Sequence, residues 1–235
     1  MLPRMTELEG RDVVITGGAG ALGASVVAAF QRAGAIVHLP IRGGAFGAPA
    51  KPGTFIYPAV DLADEASVRA FYEALPRPPW ASVHLAGGFA MAPLTETSLA
   101  DFRGQLDLNL VTAFLCCREA VRAFRRRPGG GGGRLVNVAS RAALQPGGGA
   151  AGYSASKAAL VSLTQTLAVE LAAEKILVNA VAPGTMDTPA NRAGARPEQV
   201  ARFTPTDDVA AVLLWLASPA NTIASGSVVP VFGVS

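Results

Sequence analysis

Titratable and reactive side chains are scarce in this sequence. Of its 235 residues only 16% are charged, two are histidine, two are cysteine, and lysine occurs three times, as Lys51, Lys157 and Lys175. The 20 Lys and Arg against 17 Asp and Glu leave a formal charge of +3, too small an excess to argue for a nucleic-acid partner. The basic cluster Arg125, Arg126 and Arg127 ends an amphipathic stretch just before Pro128, where cations suit the C-terminal end of a solvated helix. Cys116 and Cys117 are adjacent within an apolar helical pattern, a spacing that suits neither a disulfide framework nor a metal site. Both are expected to be packing residues in a reducing compartment, and no metal is expected. No apolar run approaches the ~18–20 residues that span a bilayer, and Glu7 and Glu9 stand where a basic leader region would be. The expectation is a soluble, cytoplasmic protein without a membrane partner. Gly and Pro are plentiful but follow no collagen-like or solenoid period.

Apolar residues make up 50% of the chain, enough to build a sizeable core and too many for disorder. Residues 1–235 are read as one domain in which short β-branched runs alternate with longer helical patterns. Asp12 to Thr16 (DVVIT), Ile36 to Leu39, Phe55 to Val60, Ser82 to Ala86, Arg134 to Ala139, Ile176 to Val181 and Val228 to Phe232 read as strands. Ala21 to Ala33, closed by Gly34, and Asp64 to Leu75, Ser98 to Arg127, Tyr153 to Lys175 and Thr206 to Ala217 read as helices, the last with Asp207 and Asp208 in its first turn. Gly129 to Gly133 reads as a loop, and Arg42 to Thr54 is rich in Gly and Pro without helical periodicity. Alternating helices and near-continuous apolar strands imply the α/β class, a doubly wound parallel sheet of about seven strands covered on both faces. Ligands of such sheets bind at the carboxyl ends of the strands.

Thr16-Gly17-Gly18-Ala19-Gly20-Ala21-Leu22-Gly23 follows the first strand directly and leads into a helix. A glycine-rich turn in that position lets backbone N–H groups and the helix dipole meet a pyrophosphate at close range, which points to a dinucleotide. A fold of this kind that prefers NAD usually ends its second strand with Asp or Glu to accept the adenosine 2′-OH. Here that strand runs His38-Leu39-Pro40-Ile41-Arg42, with no carboxylate. Arg42 is a candidate partner for a 2′-phosphate, with Lys51 reaching from the same loop, so NADP(H) is favoured over NAD(H).

Further features, taken with this turn, resemble the short-chain dehydrogenase/reductase family over essentially the whole chain. Tyr153-Ser-Ala-Ser-Lys157 matches the family's Tyr-x-x-x-Lys, and residues four apart share a helix face, so the Lys157 ammonium is expected to lower the Tyr153 pKa. Ser140 ends the fifth strand, and Asn109 lies in the long helix before it. Pro183-Gly184-x-x-x-Thr188 resembles the segment that abuts nicotinamide, and Asp61, followed by Leu62, resembles the acid that contacts adenine. The resemblance implies a Rossmann-type enzyme that moves a hydride between nicotinamide and a carbonyl or alcohol, with Tyr153 as general acid/base, Ser140 holding the carbonyl oxygen, Lys157 tuning Tyr153 and binding ribose, and Asn109 ordering a proton path. Gly17, Gly20, Leu22, Gly23, Arg42, Asp61, Leu62, Ala86, Gly87, Gly88, Tyr153, Lys157, Pro183, Gly184 and Thr188 are the implied cofactor contacts.

The chain departs from the family pattern in places. The second glycine of the usual turn would fall at Ala21, and Gly20 stands one place earlier. His84-Leu85-Ala86-Gly87-Gly88 replaces Asn-Asn-Ala-Gly, and His84 is read as a sheet residue filling the lost Asn site rather than a base. The glycine turn, Ala86-Gly87-Gly88-Phe89-Ala90, the short second crossover, Met186-Asp187-Thr188-Pro189-Ala190-Asn191-Arg192 and Phe203-Thr204-Pro205 resemble the dihydropteridine reductase branch. That branch carries an acid at the end of strand two and lacks an active-site serine, so the chain reads as a relative equipped for ordinary carbonyl chemistry. Phe89, Met91, Leu144 and Met186 are expected to wall the substrate pocket and favour an apolar small-molecule carbonyl or alcohol, with a short lid around 189–204. The family's habit of pairing its two long helices implies a homodimer or homotetramer, with Leu110, Ala113, Phe114, Leu160, Leu163 and Leu167 as core or interface. The alternative readings are a dihydropteridine reductase-like enzyme using NAD(P)H and a non-catalytic NADP(H) sensor, which has no need of a proton donor beside nicotinamide.

Overall fold

Strands form where the sequence is apolar and β-branched on both sides of the chain, since such a strand is stable only inside a sheet covered on both faces. In the computed structural model, which describes residues 8–43, 52–129 and 131–233, the order begins β1 (Asp12–Thr16), α1 (Ala21–Arg32), β2 (Ile36–Pro40), β3 (Thr54–Tyr57), α2 (Glu65–Glu73) and β4 (Ala81–His84). It continues through α3 (Leu99–Leu106), α4 (Thr112–Arg125), β5 (Gly133–Val138), α5 (Arg141–Leu144), α6 (Ala151–Glu170) and β6 (Ile176–Pro183). It closes with α7 (Pro189–Arg192), α8 (Pro197–Val200), α9 (Thr206–Ala217) and β7 (Val228–Val231).

The strands form one seven-stranded parallel sheet in the order β3-β2-β1-β4-β5-β6-β7. The chain moves outward from β1 to β3, then returns to lay β4 on the other side of β1. That reversal opens a crevice beyond the carboxyl ends of β1 and β4. Alternate residues of β1 serve opposite layers. Val13 and Ile15 pack with Val26 and Phe30 of α1 and Leu213 and Leu216 of α9, whereas Val14 packs with Phe71 of α2 and Phe124 of α4. Full burial of each such side chain is worth roughly 1.5–3 kcal/mol. Cys116 and Cys117 are free and buried in the second layer, where burial pushes the Cys117 thiol up to about 12.

Several element bounds differ from the sequence reading. The run from Ser98 to Arg127 is not one helix: a π-helical turn, Asp107–Val111, separates α3 from α4. Such a turn widens a helix locally through i→i+5 bonds and is frequent at functional sites. α6 begins two residues before Tyr153 and ends at Glu170, followed by a short 3₁₀ turn at Ala172–Glu174. β3 stops at Tyr57, ahead of Pro58 and of Ala59, whose φ of 58° turns the chain away. Most of the loop after Arg42, Lys51 included, lies outside the described residues. No described helix is long and apolar enough to cross a membrane.

Candidate active site

The crevice starts at the turn between β1 and α1. Gly17 takes a φ of +68°, a conformation most side chains resist. A Cβ on Gly23 would stand 2.5 Å from backbone atoms of Gly17 and Gly18, so only glycine lets the first turn of α1 fold back against the loop. Gly20 caps α1 without a side-chain acceptor, and no acidic residue occupies the first helical turn. The N–H groups at this helix end are therefore available to an anion. Thr16 Oγ1 accepts from the Ala86 backbone N–H at 3.3 Å and ties the turn to the segment leaving β4.

Across the crevice stand Ser140, just past β5, and Tyr153 and Lys157, one turn apart on α6. Ser140 caps α5, its Oγ accepting from the Ala142 N–H at 3.2 Å, and its hydroxyl also faces the Tyr153 phenol. Tyr153 meets Phe89 edge to face, ring centroids 4.8 Å apart. Lys157 is buried and donates to the Val138 carbonyl at 2.8 Å; burial brings its ammonium down to about 8. Asn109 is fully buried in the π-helical turn, where its Oδ1 accepts from Gly88 N–H at 3.0 Å and its Nδ2 donates to Gly88 O at 3.0 Å and Gln105 O at 3.1 Å. It pins the Gly87-Gly88 segment against the crevice.

One expectation about Tyr153 is corrected. Its phenol sits above the ordinary tyrosine value, because desolvation outweighs the hydrogen bond from Ser140 that opposes it. The Lys157 nitrogen lies 6.0 Å from the Tyr153 ring centre and is directed at Val138 O. The phenol is thus held protonated at neutral pH.

Of the residues singled out in the sequence, Gly17, Gly20, Leu22, Gly23, Gly87, Gly88, Phe89, Asn109, Ser140, Tyr153, Lys157, Pro183, Gly184, Met186 and Thr188 line a single cleft of about 600 Å³. That volume is in the range of small-molecule and cofactor sites. Arg42, Asp61, Leu62 and Ala86 stand outside its lining. Arg42 is exposed beyond β2, Asp61 is exposed with its carboxylate on the Ala63 N–H, and Leu62 packs on the core. Met91 and Leu144 are corrections to the expected pocket wall: Met91 lines a neighbouring hollow that shares Tyr153, and Leu144, 40% exposed at the end of α5, borders neither. The direction of a loop side chain is fixed by tertiary packing, which apolar character does not encode. His84 is buried in β4 between Ser82 and Asn137, at 2.8 Å from each, and burial brings it down to about 4, so it is neutral at physiological pH. The sequence reading missed Arg141, Gln145, Thr185 and Asn191 as lining residues. Arg141 was detectable as the neighbour of Ser140.

A glycine cradle at a helix N-terminus, joined by one cleft to Ser, Tyr and Lys, fits a dinucleotide beside a proton donor. Fold and cleft define a nicotinamide-dependent oxidoreductase. A family model described as short chain dehydrogenase matches residues 11–199. The chain is 32% identical over 251 residues to 3beta-hydroxysteroid dehydrogenase 1 of Eggerthella lenta, an alignment covering 97% of this chain and 94% of that one. It is 30% identical over 244 residues to 2,5-dichloro-2,5-cyclohexadiene-1,4-diol dehydrogenase of Sphingobium indicum, covering 95% and 96%. Among solved structures, a blue fluorescent protein from a metagenomic library in complex with NADPH matches with a TM-score of 0.85 at 29% identity, covering 97% of this chain and 98% of that chain. This chain belongs to the short-chain dehydrogenase/reductase family.

Proposed function

We propose that the chain interconverts a small carbonyl compound and its alcohol with NADP(H), Tyr153 serving as general acid and base. The observation that carries this reading is the convergence of Ser140, Tyr153 and Lys157 on the cleft that begins at the Gly17–Gly23 turn. A nicotinamide bound in this cleft would supply or accept the hydride. Ser140 donates its hydroxyl hydrogen to the substrate oxygen and holds it beside the Tyr153 hydroxyl. Tyr153, protonated at neutral pH, gives its proton to the developing alkoxide. Lys157 retains N–H donors beyond the one used by Val138 O and offers them to ribose hydroxyls. The Asn109 amide is engaged by Gly88 and Gln105, so it acts by positioning the Gly87-Gly88 segment at the cleft.

The glycine turn would hold the pyrophosphate, Gly87, Gly88, Pro183, Gly184 and Thr188 the nicotinamide half, and Asp61 with Leu62 the adenine. NADP(H) is preferred because Ile41, buried just past β2, offers no acceptor to a ribose hydroxyl, and the exposed Arg42 beside it could meet a 2′-phosphate. The NADPH carried by the metagenomic neighbour is consistent with that choice. The segment 189–204, containing α7 and α8, is assigned as a short lid, and α4 with α6 as the face through which two or four copies associate. The test is NADPH oxidation against a panel of aldehydes, ketones and quinonoid dihydropterin. Turnover of a carbonyl supports the assignment; tight NADPH binding with no turnover overturns it in favour of a sensor.

A further inference from the structure

The cleft carries two cations and, among the described residues, no carboxylate in its lining. One is Lys157, engaged in the interior. The other is Arg141, directly after Ser140 and exposed. Its guanidinium has two contacts: Nε donates to Gln145 Oε1 at 3.0 Å, and the guanidinium carbon lies over the Phe232 ring, 5.2 Å from its centre. Neither terminal nitrogen has a hydrogen-bond partner among the described residues. The nearest acid in sequence to the lid side of the cleft, Asp187, is engaged by Arg192 through both of its oxygens.

A guanidinium bonded at Nε and set over an aromatic ring keeps its two terminal N–H groups as a planar fork, the geometry that takes a carboxylate bidentately. Fixing it beforehand removes part of the entropy that a free arginine loses on binding. Gln145 and Asn191 line the same cleft and are neutral. One fork with neutral neighbours matches a monoanion better than a dianionic phosphate. Resting on the oxidoreductase reading above, we propose that Arg141 makes this enzyme selective for carbonyl substrates that carry a carboxylate, oxo acids and the corresponding hydroxy acids, with the acid group anchored at Arg141 and the carbonyl at Ser140 and Tyr153.

The experiment pairs pyruvate, acetoacetate and levulinate with their methyl esters, so that charge changes while the carbonyl stays, and compares the wild type with Arg141→Ala, Arg141→Lys and Arg141→Glu. At one chain length or more, the acid should exceed its ester by ~10-fold or more in kcat/KM, the scale of a charge-assisted hydrogen-bonded pair. Arg141→Ala should collapse that ratio toward one, chiefly through the KM of the acid. Arg141→Lys should restore part of it, and Arg141→Glu should place the ester ahead. Esters turned over as well as acids at every length, or an unchanged ratio in Arg141→Ala, would overturn the proposal while leaving the oxidoreductase standing. A second arm measures calorimetric binding of levulinate to NADP-loaded protein, and it decides even if no carbonyl is reduced. A ~10-fold or greater loss in Arg141→Ala then upholds the carboxylate site although the hydride-transfer reading has failed; equal binding overturns the site. Weakened NADPH binding in Arg141→Ala, or inorganic phosphate competing better than acetate, would likewise overturn the assignment.

Discussion

A buried ammonium is the costliest group in the cleft. Lys157 falls from its ordinary 10.5 to about 8 by desolvation, so folding is penalised while the amine is charged. Below pH 8 both folded and unfolded chains hold the proton and the penalty is complete. Between about 8 and 10.5 the folded chain releases it first, the unfolded chain binds more protons, and stability contributed by this site rises with pH. Lys157→Met should therefore raise the unfolding free energy at pH 7 by about 1–3 kcal/mol, with the gap to wild type closing as pH approaches 10.5, while activity is lost. Urea melts across that range check the sign; a variant less stable than wild type at pH 7 would contradict it. Tyr153→Phe removes only the proton donor and should lower kcat by ~10²–10⁴ with NADPH affinity nearly unchanged. Retention of most activity would remove Tyr153 from the chemistry. Arg42→Ala should lower kcat/KM for NADPH by about ten-fold and leave NADH little changed, the difference expected of a guanidinium that reads a 2′-phosphate. Equal losses with both cofactors, or a wild-type preference for NADH, would show that it does not.

The turn between β1 and α1 is the element on which cofactor binding depends most sharply. Gly23→Ala inserts a methyl 2.5 Å from the Gly17 and Gly18 backbone, which cannot yield as a flexible side chain can. The turn must open, so NADPH affinity should fall by ~10-fold or more and stability by roughly 1–3 kcal/mol. Fluorescence titration and denaturant melts that match wild type would show the turn to be softer than this geometry implies. This turn was legible in the sequence because glycine spacing and its place after a strand are local signals. The strands were legible too, since DVVIT and RLVNVA have no other stable home than a two-faced sheet. The break at Asp107–Val111 was not legible, because neither Gly nor Pro marks it, and the bonds of Asn109 to Gly88 join segments 21 residues apart. Met91 and Leu144 were misplaced in the pocket wall for the same reason: hydrophobicity says that a side chain seeks cover, and the surrounding loops decide whose.

At the scale of the whole molecule, the unresolved member of the sequence reading is the face formed by α4 and α6. Periodicity marked Leu110, Ala113, Phe114, Leu160, Leu163 and Leu167 as core or interface without separating them. The structure divides them: Ala113 and Leu160 are 3% and 1% exposed and belong to the core, while Leu110, Leu163 and Leu167 are half-buried and Phe114 is 42% exposed. Phe114 therefore contributes little to the folded monomer that an assembled copy would not supply. Light scattering at micromolar concentration should give the mass of a dimer or tetramer. Phe114→Glu should shift that mass toward the monomer, since association would then bury a carboxylate opposite its own symmetric copy. The new side chain lies four residues before Arg118, whose guanidinium sits 5.6 Å from the Phe114 ring centre and already bonds Glu65 and Glu119, so the added carboxylate stays beside a cation in the separated chain. Circular dichroism and the melting temperature measured at low protein concentration should accordingly stay close to wild type while the mass falls. A wild type that is monomeric at these concentrations, or a Phe114→Glu variant that assembles as before, would exclude this face as the interface.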